Sequence, residues 1–154
     1  MSSPAFTIRH ATAADAPAVR AFVTGILWSY GLDADHDDLR VFGVPFNGAL
    51  AELVAVDGTE AGDGAPIGMV TLWPRGVGLG WIAKLFVDPE HRGRGIGRAL
   101  LAAIIDEARG WKLRAVGLST VPRLREAVAL YESMGWRRKV GTRARDRVYW
   151  KTLR

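Results

Sequence analysis

Apolar and polar residues alternate in some stretches of the chain and recur at helical spacing in others, and the changes of period mark its elements. AFTIRH (5–10) has period two and predicts a short strand. Thr12, with Asp15 three positions on, has the spacing of a capping box for a helix reaching about Tyr30, where Gly31 closes it. The acidic stretch DADHDD (33–38) predicts the cap of a short second helix near Leu39 to Phe42, ended by Pro45, Asn47 and Gly48. ALAELVAV (49–56) and PIGMVTLW (66–73) predict two strands that form a hairpin across the polar loop DGTEAGDG (57–64).

After PRGVGLG, the run WIAKLFV (81–87) predicts a buried strand. RALLAAIIDEA (98–108) sets Ala99, Leu100, Ala103, Ile104 and Ala108 on one helical stripe, and Gly110 is placed to end it. LRAVGLST (113–120) predicts a strand, and residues 123–134 repeat Leu124, Ala127, Val128, Tyr131 and Met134 at helical spacing before Gly135. GWRRKVG (135–141) and DRVYWKTL (146–153) predict two last strands. The order β-α-α-β-β-β-α-β-α-β-β implies a single α/β domain over residues 1–154, a mixed sheet flanked by helices on both faces.

Composition agrees: 154 residues, 49% apolar and 24% charged, suit one globular domain with a real core. No apolar run has bilayer length and MSSPAFTIRH lacks the order of a secretory signal, so a cytoplasmic protein without a membrane partner is expected. The absence of cysteine excludes disulfides, thiolate metal ligands and a covalent thiol intermediate. His10, His36 and His91 lack zinc-motif spacing, so no metal is expected. Residues 1–108 hold 8 Lys and Arg against 13 Asp and Glu, whereas residues 109–154 hold 13 against 3. Such a basic last third attracts nucleic acid, an anionic cofactor or an acidic partner, or is a solvated face. Few aromatics interleave with its arginines, which argues against nucleic acid.

The chemistry concentrates in HRGRGIG (91–97), between a predicted strand and a predicted helix. No Gly-Lys-Ser/Thr follows, so it is not a P-loop, and Arg98 stands where a dinucleotide fingerprint has its third glycine. A helix N-terminus nevertheless presents unpaired N–H groups and partial positive charge, and Gly93, Gly95 and Gly97 leave the backbone bare for an anion. Arg92, Arg94 and Arg98 add cationic donors. The alternative is a tight strand-to-helix turn with solubilising arginines.

Arg92-Gly93-Arg94-Gly95-Ile96-Gly97 resembles the Arg/Gln-x-x-Gly-x-Gly/Ala hallmark of the GCN5-related N-acetyltransferase (GNAT) superfamily. AVALYESMGW (127–136) is similar to that family's Ala-x-x-Leu-Tyr-x-x-x-Gly-aromatic segment, and the resemblance is strongest over residues 80–138. It implies an N-acetyltransferase that uses acetyl-coenzyme A (acetyl-CoA) and an amine substrate, small molecule or protein; a non-catalytic coenzyme A sensor is the alternative. The pyrophosphate would lie on Arg92, Gly93, Arg94, Gly95, Ile96, Gly97 and Arg98, and the pantetheine arm along Leu85, Phe86 and Val87, where a backbone N–H polarises the thioester carbonyl. Tyr131 falls on the family's tyrosine, the acid that protonates the departing thiolate; its helical phase also fits a core residue. The sequence leaves a homodimer open as the assembly.

Two positions depart from the family pattern. Leu124 stands where an asparagine is common, leaving Arg123 or Arg125 as replacements, and GWIAKLFV has no carboxylate to act as general base. His36, Asp37, Asp38 and Glu52 are substitutes that would act through water, and a desolvated pocket that keeps the amine neutral is another route. Trp73 and Trp81 either line the acceptor site or pack. The acidic 33–38 segment borders the acceptor side in the family's fold, so a positively charged acceptor is expected.

Overall fold

A computed structural model of the chain describes residues 6–32, 38–58, 64–120, 122, 124–139 and 147–153. Its strands are β1 (Phe6–His10), β2 (Ala51–Asp57), β3 (Pro66–Pro74), β4 (Leu79–Val87), β5 (Ala115–Thr120), β6 (Arg137–Arg138) and β7 (Arg147–Thr152). They form one sheet in the order β1-β2-β3-β4-β5-β7-β6, antiparallel at every pairing except β4 with β5. Helices α1 (Ala16–Ser29), α2 (Ile96–Gly110) and α3 (Arg125–Ser133) complete it, as the mixed, mostly antiparallel α/β architecture requires.

Alternation along β2 shows how the two layers are built. Leu53 and Ala55 point to the face where Leu100, Leu101, Ile104 and Ile105 of α2 bury themselves. Val54 and Val56 point to the other face, against Val19 and Val23 of α1 and against Leu39 and Phe42. Among the described residues no helix is long and apolar enough to cross a membrane.

Several details differ from the sequence expectation. The first helix opens with a 3₁₀ turn, Ala13–Asp15, and only then becomes α1. The second helix is a 3₁₀ turn, Asp38–Val41, and residues 33–37 of the acidic stretch lie outside the described residues. The buried face of α2 includes Leu101 and Ile105, while Ala99 and Ala103 are only partly buried, because the larger side chains gain more by facing the sheet. Gly110 does not end α2 by a left-handed turn; Lys112 takes that conformation (φ 60°), and the Leu113 N–H closes the end on the Ala108 carbonyl at 3.1 Å. Of GWRRKVG, Arg137 and Arg138 form the strand; residues 140–146 lie outside the described residues.

The capping box ties α1 to β1. The Thr12 N–H donates to Asp15 Oδ2 at 2.8 Å, and Arg9 donates to both Asp15 oxygens at 2.8 and 2.9 Å. Burial works to raise the Asp15 pKa, yet the Arg9 and Thr12 hydrogen bonds outweigh it and hold the carboxyl below its ordinary value. A depressed carboxylate contributes stability above its unfolded pKa, near ~3.9, and loses it as pH falls through the folded value. Asp15→Asn is therefore expected to cost about 1–3 kcal/mol at neutral pH, read as a lower Tm, and the two proteins should converge in stability in strong acid.

Candidate functional site

At its far end β4 leaves its parallel neighbour. β4 pairs with β5 only from Leu79 to Ile82, while its pairing with β3 continues to Val87. Between these points β4 carries one extra residue, since Thr71 faces Ala83 but Met69 faces Phe86. Lys84 absorbs it with a left-handed backbone (φ 57°), a β-bulge that bends β4 away from β5. The Asp88 N–H turns towards β3, donating to the Ile67 carbonyl at 2.8 Å. By the alternation of an antiparallel ladder, the N–H and C=O of Val87 point the other way, into the gap that β5 has left.

The chain then makes a 3₁₀ turn, Pro89–His91, capped by Asp88, whose Oδ1 accepts from the Glu90 N–H at 3.1 Å. Gly93 (φ 79°) and Gly95 (φ 80°) are left-handed, which glycine adopts without the clash other residues meet. Gly97 is helical and serves differently. A Cβ there would lie 3.4 Å from Leu130 and 3.6 Å from Val87, ordinary contact distances, so neither packing nor backbone conformation demands glycine at this position. Among the described residues no side chain caps α2 at Gly95, and the intrahelical ladder begins with the Ala99 N–H on the Gly95 carbonyl at 3.0 Å. The N–H groups of the first turn and the positive end of the helix dipole are thus left to a ligand or to water.

The gap and this helix end share a cavity of about 320 Å³. Nine of the ten residues expected to hold coenzyme A line it: Leu85, Phe86, Val87, Arg92, Gly93, Gly95, Ile96, Gly97 and Arg98. Arg94 does not; its guanidinium bonds Asp57 at 2.9 Å, holding the turn to the end of β2. Arg98 also donates to the Ser133 hydroxyl of α3 at 3.0 Å.

The cavity has further walls, of which the sequence announced only Leu124. Leu124, Ala127 and Leu130 of the α3 region, Ile26 and Tyr30 of the α1 end, His91 and Glu126 all line it. Ala127 and Leu130 could have been found from Tyr131, being four and one residues before it on one helix; Tyr30 and Glu126 carry no such signal. The Tyr30 hydroxyl hydrogen-bonds the Glu126 carboxylate across the cavity. That bond raises the Tyr30 pKa and lowers that of Glu126, and Arg92 nearby also favours the ionised carboxylate. Leu124 is apolar wall; Arg125 is not among the lining residues, and Arg123 lies outside the described residues.

Tyr131 lies beyond the cavity lining, one helical turn past Ala127, and is 5% exposed. Its ring packs against Trp136 and Tyr149 at centroid distances of 6.1 and 6.0 Å. Burial pushes the phenol pKa well above its ordinary value, which keeps the proton on through neutral and mildly alkaline pH.

Of the candidate bases, Glu52 accepts from the Gly43 N–H at 3.0 Å and from the Asn47 amide at 2.7 Å, so its carboxylate fastens the 43–47 loop. His36 and Asp37 lie outside the described residues.

A model described as the acetyltransferase (GNAT) family matches residues 27–136. The chain is 28% identical over 139 residues to the uncharacterized N-acetyltransferase YjgM of Escherichia coli, covering 84% of this chain and 80% of that protein. Among solved structures, a GCN5-related N-acetyltransferase from Kribbella flavida is 28% identical with a TM-score of 0.78, over 98% of this chain and 100% of that one. The yncA protein of Salmonella typhimurium, solved with its cofactor acetyl-CoA, has a TM-score of 0.72 at 22% identity over 97% and 95%. The family match spans the bulged strand β4, the glycine turn and the helix that walls the cavity, and the chain therefore belongs to the GNAT family and is an N-acetyltransferase.

Proposed function

We propose that the chain moves an acetyl group from acetyl-CoA directly to an amine of a small molecule or protein, with coenzyme A held in the cavity between β4, the start of α2 and α3. The observation that carries this is the uncapped N-terminus of α2, opening through left-handed Gly93 and Gly95 into a cavity whose other wall is the unpaired edge of β4. The lining fits the ligand's chemistry. First-turn N–H groups with Arg92 and Arg98 suit a pyrophosphate, and Leu85, Phe86, Ile96, Leu124 and Leu130 suit an apolar arm. The Salmonella typhimurium relative of the same fold holds acetyl-CoA as its cofactor.

When bound, acetyl-CoA supplies a thioester carbon that the amine nitrogen attacks; the C–N bond forms, the C–S bond breaks, the sulfur gains a proton and the nitrogen loses one. The Val87 N–H, turned into the gap, donates to the carbonyl oxygen as negative charge grows there. Tyr131, kept protonated by burial, is the donor to the sulfur. With no cysteine in the chain, no acetyl-thiol forms on the protein, and transfer is direct within a ternary complex. With Glu52 engaged by its loop, the amine reaches the gap neutral through desolvation or gives its proton to water.

The test is thiol release from acetyl-CoA across a panel of amines, followed with a thiol-reactive dye; the protein contributes no background because it has no cysteine. Amine-dependent release together with the acetylated amine is expected. Binding of acetyl-CoA without release for every amine would contradict the reading.

A further inference from the structure

Two residues on the cavity wall, Tyr30 and Glu126, have no part in acetyl transfer as derived above. Trp73 and Trp81, which face each other across β3 and β4, do not line the cavity. Tyr30 ends α1: its N–H donates to the Leu27 carbonyl at 3.1 Å, and left-handed Gly31 (φ 71°) follows. Glu126 stands in the first turn of α3.

The two helices belong to different cores. α1 packs with β2, Leu39 and Phe42 on one face of the sheet, whereas α3 joins the cluster on the α2 face through Ala127, Leu130 and Tyr131. The hydrogen bond from the Tyr30 hydroxyl to the Glu126 carboxylate therefore ties the two faces together across the gap between β4 and β5. It also lies close to the cradle. Leu130 sits beside Gly97, where an added Cβ would meet it at 3.4 Å, and Glu126 is one turn, about 5.4 Å, before Leu130 on the same face of α3.

A glutamate in a first turn is favoured by the helix dipole wherever its side chain points. The dipole does not explain why this carboxylate reaches over the cavity to the opposite wall. Arg92 lies near enough to act by charge on both members of the bond, and it favours the ionised carboxylate. Among the described residues Glu126 is the only carboxylate lining the cavity, against Arg92 and Arg98. An arginine suited to pyrophosphate thus already has an anion beside it.

We propose that Glu126 stands in for the phosphates of coenzyme A: in the free protein its carboxylate, latched by Tyr30, holds the place beside Arg92, and the arriving phosphates displace it. This rests on the placement of coenzyme A in the cavity. The ligand brings a pyrophosphate and a further phosphate, and a carboxylate kept among them would be repelled. The latch therefore opens for the ligand and does not close over it. Opening costs little, because Glu126 is exposed and its bond competes with water. A thiol that has the pantetheine arm and no phosphate has nothing with which to displace the carboxylate, so the latch selects for the whole of coenzyme A.

Calorimetric titration at low salt compares coenzyme A with pantetheine, which has the arm alone. Glu126→Gln keeps an oxygen for the Tyr30 hydroxyl and removes only the charge; it and Tyr30→Phe are checked for folding by thermal melting. Coenzyme A should bind the Gln variant about three- to fivefold tighter, with the gain shrinking at high salt, and pantetheine should bind both proteins alike. Tyr30→Phe unlatches the carboxylate, so in stopped-flow mixing coenzyme A should associate about threefold faster with its dissociation rate unchanged. Weaker or unaltered binding of coenzyme A by Glu126→Gln, or an equal gain for pantetheine, overturns the proposal. Amide shifts distinguish its failure from that of the cavity reading. Shifts on Gly93 through Arg98 with an indifferent Glu126→Gln overturn this inference alone, whereas saturable shifts elsewhere overturn both.

Discussion

Tyr131→Phe is expected to lower kcat about 100-fold while the coenzyme A dissociation constant stays within about twofold. Phenylalanine preserves the ring that packs against Trp136 and Tyr149, so the fold and the cavity beside Leu130 are retained. The substitution removes only the proton. Burial raises the phenol pKa, so the wild-type donor keeps its proton across the neutral and mildly alkaline range, and no loss of activity there should be traceable to Tyr131 ionisation. Initial rates of thiol release for both proteins across pH check this. A Phe variant that turns over at the wild-type rate would make Tyr131 a core residue and water the acid.

Gly95→Val is expected to weaken coenzyme A binding at least tenfold, about 1.4 kcal/mol. Gly95 holds φ 80° at the head of α2, where a β-branched residue resists the left-handed conformation at a cost of roughly 1–2 kcal/mol. Relief by local rearrangement would turn the first-turn N–H groups, and the branched side chain would stand where phosphate must approach. Gly110→Ala is the control. It lies at the other end of the same helix with open space around it, and it should gain stability by about 0.5–1 kcal/mol with binding unchanged. Calorimetry and melting curves together separate lost binding from lost folding; unaltered affinity in a folded Gly95 variant would remove the anion cradle from the account.

These residues were legible in the sequence because their signals are local. Three alternate glycines at the end of an apolar run mark a turn into a helix, and residues 85–87 inherit their place from the strand that leads into it. The three glycines differ in the fold, since Gly93 and Gly95 meet a backbone requirement, whereas a Cβ at Gly97 would make only ordinary contact with Leu130 and Val87. What the sequence hid depends on long-range approach. Arg94 and Arg98 look equivalent along the chain, yet Asp57, 37 residues away, draws one of them off the cavity. Tyr30 and Glu126 meet across 96 residues, which no periodicity encodes. The bulge at Lys84 is equally silent, because lysine carries no sign of a left-handed backbone and only the pairing of β4 with β3 demands it. Helical phase put Tyr131 on the apolar side of α3 without saying whether that side met core or ligand.

The most direct test is an amide-resolved NMR titration of the uniformly ¹⁵N-labelled protein with coenzyme A. Saturable shifts are expected to be largest at the amides of Gly93 through Arg98 and at Val87, with Gly110 unmoved. Saturable shifts centred instead on the basic edge at Arg137, Arg138 and Lys139, with the glycine turn unchanged, would contradict the placement of coenzyme A on which the account rests.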